Sequence, residues 1–271
     1  MRLKVNVLEH ILGKGWQIMP AGGATGEAYQ AKYEDQTLFL KRNSSPFLAV
    51  LSAEGIVPKL LWTKRLGNGD VITAQKWLNG RELKASEMNN DAVGRLLGRI
   101  HGSSELLDML KRLGKKPLTP ELIIDEIETN IQSEQECPPK IKEAVSYLKM
   151  QKNVIHHDKK VVCHCDVNHN NWMVSETNEL FLIDWDGAMI ADPALDLGLL
   201  LYWYIPRDNW AQWLSVYGVE LTVDLQRRMH WYIVAQTIQS VFWHGQRKQN
   251  AEKEYWYNFL KQILRESYYI N

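Results

Sequence analysis

Through the first 80 residues, short runs rich in apolar and β-branched side chains are separated by turn residues. Residues 16–19, 28–33, 37–41 and 71–74 read as strands, because short runs of this kind bounded by turn residues mark strands. Gly22, Gly23 and Gly26 fall between the first two, where glycines make a tight connection. Ser45 followed by Pro46 marks a helix start, with Glu54 at the end of that short helix. Farther on the period becomes helical. Val93, Leu96, Leu97 and Ile100 share one face and Arg95 and Arg99 the other. Thr119-Pro120 opens a segment striped by Ile123, Ile127 and Ile131, and Pro138-Pro139 opens one running through Ala144 and Leu148. The strand pattern returns at 160–163, 172–174 and 180–183, with a turn at 176–178. Beyond Asp196 the pattern is helical again and rich in Trp and Tyr, most of which the spacing assigns to a core.

The candidate chemistry lies where the strand pattern returns. His164-Cys165-Asp166 with Asn171 reads H-x-D-x-x-x-x-N, the spacing of a kinase catalytic loop. The apolar strand that follows ends in Asp184-Trp185-Asp186, where such enzymes hold magnesium. Phosphoryl transfer needs one carboxylate to accept the hydrogen of an attacking hydroxyl, and an Asn and a second Asp to ligate the cation. Upstream, Lys41 closes the run 38–41, the place of a phosphate-binding lysine. The glycine loop lacks the Lys-Ser/Thr of a Walker A sequence, which argues against a P-loop fold.

These residues, together with Asp192-Pro193-Ala194-Leu195-Asp196-Leu197-Gly198, resemble the aminoglycoside phosphotransferase and choline kinase family. The resemblance runs in order over nearly the whole chain. It implies an α+β, bilobal, protein-kinase-like fold, with a small β-rich N-lobe (1–77) and a larger, mainly helical C-lobe (78–271). Residues 52–60 and 77–83 look most like the Gram-positive cell-cycle regulator CcrZ (YtmP-like) group. That implies a role in cell-cycle control, a cell-division protein as partner and recruitment to the division site.

The resemblance also implies roles, residue by residue. Asp166 would be the catalytic base, Asn171 and Asp184 the Mg²⁺ ligands, and Asp186 a supporting or substrate contact. His164 would brace the loop, and Asp196, expected to cap the next helix, would tie the loop down. Gly22, Gly23, Gly26 and Lys41 would hold the phosphates of ATP. Backbone groups from Gln75 to Trp77 would hold adenine. The family pairs its lysine with a helix carboxylate; between Asp35 and Asp70 the only one is Glu54, so either Glu54 pairs with Lys41 or no local partner exists.

Composition narrows the setting. Lys+Arg and Asp+Glu balance at 32 each, which leaves no electrostatic footprint for nucleic acid. The N-terminal residues lack the apolar core of a signal peptide, and the longest apolar run, near 197–205, is too short to cross a bilayer. A cytoplasmic enzyme without membrane insertion is expected, with its three cysteines as free thiols. Cys163-x-Cys165 is not zinc-knuckle spacing.

Pro193 follows Asp184 by only nine positions, and Cys165 replaces the Arg that would meet a phosphorylated activation loop. A small-molecule hydroxyl acceptor is therefore expected rather than a protein. From Asp196 to Tyr217 the only carboxylates are Asp196 and Asp208, among five Trp or Tyr residues between Leu201 and Trp213. A neutral, ring-lined site suits a sugar or nucleoside, and the resemblance to the CcrZ-like group implies a ribose- or deoxyribose-containing acceptor. Choline or ethanolamine comes second and aminoglycosides third. The competing class is a pseudokinase, a regulatory binding module of cell division. The presence of Lys41, Asp166, Asn171 and Asp184 favours a working enzyme.

Overall fold

The computed structural model describes residues 5–22, 27–133, 137–153 and 155–270. The chain forms two compact units, Met1–Leu83 with Asn170–Asp186, and Lys84–His169 with Gly187–Asn271. In chain order the first contains α1 (Val5–Leu12), β1 (Gln17–Pro20), β2 (Ala28–Tyr33), β3 (Gln36–Arg42), α2 (Phe47–Ala53), β4 (Leu60–Arg65), β5 (Val71–Lys76) and β6 (Gly80–Glu82). The second then takes α3 (Asp91–Gly102), α4 (Ser104–Arg112), α5 (Pro120–Ser133), α6 (Pro139–Gln151) and β7 (Val161–Cys163). The chain returns to the first unit for β8 (Trp172–Ser175) and β9 (Leu180–Leu182). It ends in the second with β10 (Met189–Ala191), α7 (Ala194–Tyr204), α8 (Trp210–Tyr217), α9 (Val223–Gln246) and α10 (Asn250–Ile270).

The first unit is built on an antiparallel sheet of order β1-β2-β3-β5-β4. Alternation along its strands buries Tyr29, Ala31, Leu38, Leu40, Ile72 and Ala74 on one face, where Leu8 of α1 covers them. The opposite face carries Phe39, Lys41, Thr73 and Gln75. A second small sheet, β6-β8-β9, closes through the turn after Ser175, whose hydroxyl accepts from the N–H of Thr177 and of Glu179. The backbone of Leu182 donates to the carbonyl of Ile56, which joins β9 to the end of α2.

The second unit is helical around α9, whose buried face includes Met229, Trp231, Ile233, Val234 and Ile238. Small residues set how closely helices approach: a Cβ on Gly198 of α7 would sit 2.7 Å from the Met229 carbonyl oxygen. The expected starts hold at Pro120 and Pro139, which open α5 and α6; α3 is capped by Asn90, whose side chain accepts from the Ala92 N–H. β10 pairs antiparallel with β7, so part of the short stretch between Asp184 and Pro193 is strand. Among the described residues no helix is long and apolar enough to cross a membrane.

Candidate active site

In the first unit a cavity of about 540 Å³ lies against the polar face of the main sheet. Gly22, Phe39, Lys41, Gln75, Trp77 and Leu78 line it on one side, and Ile183, Asp184 and Asp186 on another. Lys41 is the last inward residue of β3 before the chain turns at Asn43, which places its ammonium group at the cavity edge. Lys41 Nζ donates to Asp186 Oδ2 at 2.9 Å and lies 3.9 Å from Asp184 Oδ1. Both carboxylates are more than half exposed, at 59% and 66% of side-chain area. Asp184 has φ of +64°, a left-handed conformation that costs a non-glycine residue roughly 1–3 kcal/mol and is concentrated at functional sites. The Ile183 N–H donates to the Asn171 carbonyl at 2.8 Å, so the strand bearing Asp184 is fastened to the residue that ends the H-x-D-x-x-x-x-N stretch.

The lysine does not pair with Glu54. Glu54 is the C-cap of α2, at the opposite end from Ser45 and Phe47, and does not line the cavity. The charge at Lys41 is met instead by Asp186, 145 positions away. Gly22 has φ of +84°, as a tight turn requires, and the Ala21 N–H donates to the Ala28 carbonyl beside it. Gly23 and Gly26 lie outside the described residues.

Around Gln75 to Trp77 many donors are already engaged. The Gln75 amide donates to the Pro58 carbonyl, the Lys76 N–H to Lys59 and the Trp77 N–H to Thr37. The Leu78 N–H has no hydrogen-bond partner among the described residues, and Leu78 lines the cavity. It is the next available backbone donor along this stretch.

The second unit holds Asp166. His164 and Cys165 donate their backbone N–H groups to Asp196, at 2.7 Å to Oδ2 and 2.9 Å to Oδ1. His101 Nε2 lies 3.1 Å from the same Oδ2. Asp196 is fully buried, so three hydrogen bonds converge on a carboxylate with no water contact. Cys165 has φ of +68°, and the bond from its N–H holds that left-handed turn one residue before Asp166. Asp196 does not cap α7 as expected. The helix begins at Ala194, whose N–H goes to Asp192 Oδ1 at 2.8 Å, and Asp196 lies within the first turn with its carboxylate on the loop.

Two further residues shape this loop. Asn168 Nδ2 donates to Asp166 Oδ1 and so fixes the carboxylate. Tyr204 accepts from the His169 N–H at 3.1 Å. Burial, and then the nearby charges of Asp166 and Tyr255, push the Tyr204 phenol up. The Asp-x-Asn spacing held a signal for the first; nothing local marked the second.

His101, Cys163 and Asp196 place ligand-type atoms within 4.8 Å of one another, all buried. Their ligand atoms are already engaged in hydrogen bonds, His101 with Asp196 and Cys163 with the Asp192 carbonyl. Burial pushes the Cys163 thiol well up, so it stays protonated and donates to the Asp192 carbonyl. Cys165 is likewise pushed up by burial.

The folds of several solved structures match nearly the full length of this chain. Choline kinase LicA from Streptococcus pneumoniae is 17% identical with a TM-score of 0.72, over 96% of this chain and 97% of that one. A choline/ethanolamine kinase family protein from Mesorhizobium loti is 16% identical with a TM-score of 0.70, over 94% and 90%. Spectinomycin phosphotransferase APH(9)-Ia, in complex with ADP and spectinomycin, is 16% identical with a TM-score of 0.60, over 92% and 91%. These likenesses establish an α+β kinase-like fold. A model of the phosphotransferase enzyme family (APH) matches residues 18–232, well over half of the sequence, and the chain belongs to that family.

Proposed function

We propose that the protein transfers the terminal phosphoryl group of ATP to a hydroxyl of a neutral, ring-containing small molecule. A ribose- or deoxyribose-containing sugar or nucleoside is the best-supported acceptor. The observation that carries the transfer chemistry is the Lys41, Asp184 and Asp186 cluster at the edge of the 540 Å³ cavity. A cation flanked by exposed carboxylates in a cavity of this size suits a nucleotide triphosphate with its metal. Gly22 and Lys41 take the phosphates, and the base lies along Gln75, Trp77 and Leu78, with the Leu78 N–H as donor. The all-oxygen donors of Asp184 and Asn171 suit Mg²⁺, which when bound neutralises charge on the phosphates.

Asp166 is the base that accepts the hydroxyl proton. Asn168 orients its carboxylate, and Asp196, accepting from His164 and Cys165, fixes the backbone just before it. A nucleophile held within reach of an oriented base needs little else from the protein, because phosphoryl transfer is largely positioning and charge stabilisation.

Support for a neutral acceptor comes from what is left in the second unit once packing is counted. Asp196 is buried and engaged, so of the two carboxylates between Asp196 and Tyr217 only Asp208 remains. Trp210 and Trp213 are buried, and Arg207 stacks on Tyr202 and Trp210. Trp203, Tyr204, Trp243, Tyr255 and Trp256 keep exposed surface. Rings with a single free carboxylate, as between Asp196 and Tyr217, suit sugar faces better than polycations. The resemblance to the CcrZ-like group points to the same acceptor class and to a cell-division partner.

One observation favours a second reading. Trp203 and Trp256 lie 4.9 Å apart with His244 stacked over Trp256, a ring cluster of the kind that holds a quaternary ammonium group. Two of the structural neighbours are choline or choline/ethanolamine kinases. The pseudokinase reading is opposed by the retention of Lys41, Asp166, Asn171 and Asp184. A panel of pentoses, nucleosides, choline, ethanolamine and aminoglycosides at matched concentration, read by ADP release and product mass, separates these readings. Turnover of choline or ethanolamine with none on pentoses or nucleosides would overturn the sugar assignment.

A further inference from the structure

Tyr217, the last residue of α8, touches none of the groups assigned a role in transfer, yet its hydroxyl enters the network behind Asp166. It lies 2.8 Å from His101 Nδ1, and the other ring nitrogen of His101 faces Asp196 Oδ2 at 3.1 Å. An ionised carboxylate only accepts, so Nε2 must carry a hydrogen. In the neutral ring Nδ1 is then a bare acceptor, and the hydroxyl of Tyr217 is the donor that fits it.

We propose that Tyr217 is a positioning residue for phosphoryl transfer: its O–H fixes the Nε2–H tautomer of His101. That tautomer holds the Asp196 carboxylate against the His164 and Cys165 amides. This rests on the reading of Asp166 as the base.

Three observations support it. The path is buried: His101 is 5% and Asp196 0% exposed. The phenol remains a donor at any pH the fold tolerates, because burial pushes its proton loss up. The α3–α8 contact that sets the distance is rigid, since a Cβ on Gly98 would lie only 2.4 Å from the Tyr217 carbonyl oxygen. The Cys165 backbone is in the left-handed region, held there by Asp196, so a carboxylate that rotates releases the turn next to Asp166.

The test is Tyr217→Phe, which keeps the ring stacked on Trp213 (9° between planes) and removes only the hydroxyl. In the wild type, ¹⁵N NMR of the His101 ring, assigned with His101→Gln, should show Nε2 protonated and Nδ1 as acceptor. In Tyr217→Phe the Nδ1 signal should move toward that of an unbonded nitrogen, and the Cys165 and His164 amides should exchange at least tenfold faster. Mg-ATP hydrolysis without acceptor should lose roughly 10- to 100-fold in kcat, the scale of a small misplacement of a catalytic group, with KM for ATP unchanged.

A wild-type His101 protonated at Nδ1, alone or together with Nε2, overturns the proposal. So do unchanged amide exchange and kcat in the variant. If the wild type hydrolyses no Mg-ATP, the functional reading fails while the tautomer and amide measurements still decide this one. If Tyr217→Phe does not fold, the wild-type tautomer decides it.

Discussion

Asp196→Asn removes one charge from a site where three donors meet. In the wild type Oδ2 takes the His164 N–H at 2.7 Å and faces His101 Nε2 at 3.1 Å, while Oδ1 takes the Cys165 N–H at 2.9 Å. The best orientation of an amide keeps its oxygen in the Oδ2 position. The two bonds there survive but pass from charged to neutral acceptor, a loss of about 1 kcal/mol each. The amide NH₂ then faces the Cys165 N–H, donor against donor, and leaves a buried group unmet at a cost of about 1–3 kcal/mol. Removing a buried charge returns part of its desolvation cost, so the net is about 2–4 kcal/mol. Most of the helix lies in the second unit, and urea unfolding followed at 222 nm should show its midpoint lowered by roughly 1 M. Because every described residue lining the cavity proposed for the nucleotide belongs to the first unit, Mg-ATP affinity should change less than about threefold while turnover falls by roughly 10²-fold or more. A midpoint shift below about 0.2 M with full turnover would refute the convergence of the three bonds on Asp196 as the loop's anchor.

Other outcomes follow from the same structure. Asp184→Asn should weaken Mg-ATP binding and abolish transfer if its carboxylate holds the cation as proposed; calorimetry that shows wild-type affinity would contradict that assignment. Phosphatase-treated protein should transfer phosphate as fast as untreated protein, because the stretch from Asp184 to Pro193 is too short for an activation segment and position 165 is Cys rather than Arg. Gly198→Ala should lower stability despite the roughly 1 kcal/mol that Ala gains in a helix, because its Cβ meets Met229 backbone at 2.7 Å, whereas Gly102→Ala, with nothing within 4 Å, should not; thermal unfolding of the two variants compares them. His230 is buried, and burial lowers its pKa from 6.5 to about 4, so the unfolded chain binds the extra proton. Its contribution to stability is full above pH 6.5 and falls by roughly 3 kcal/mol as pH drops to 4, a loss that His230→Gln should lack in acid titration.

What the sequence revealed was the local part of this design. The alternation at 28–33 and 37–41, the turn at 176–178 and the paired motifs around Asp166 and Asp184 are set by neighbours along the chain, and the structure has them. β4 was missed because its strand is largely exposed and does not show a buried alternating face. Asp186 as the partner of Lys41, Tyr204 beside His169 and Tyr217 behind His101 depend on contacts 145, 35 and 116 positions apart, which no spacing rule reaches. Asp196 was legible as a tie for the loop but placed one turn early as a cap, because Asp192-Pro193 provides a carboxylate at the true helix start.

The central claim is that Asp166 serves as the base in a metal-dependent phosphoryl transfer. Its most direct test is ATP turnover by the purified protein with and without Mg²⁺, beside Asp166→Asn. The account predicts turnover that requires Mg²⁺ and falls by roughly 10²-fold or more in Asp166→Asn, with nucleotide binding nearly intact. Turnover that survives in Asp166→Asn, or that proceeds equally well without divalent metal, would contradict it.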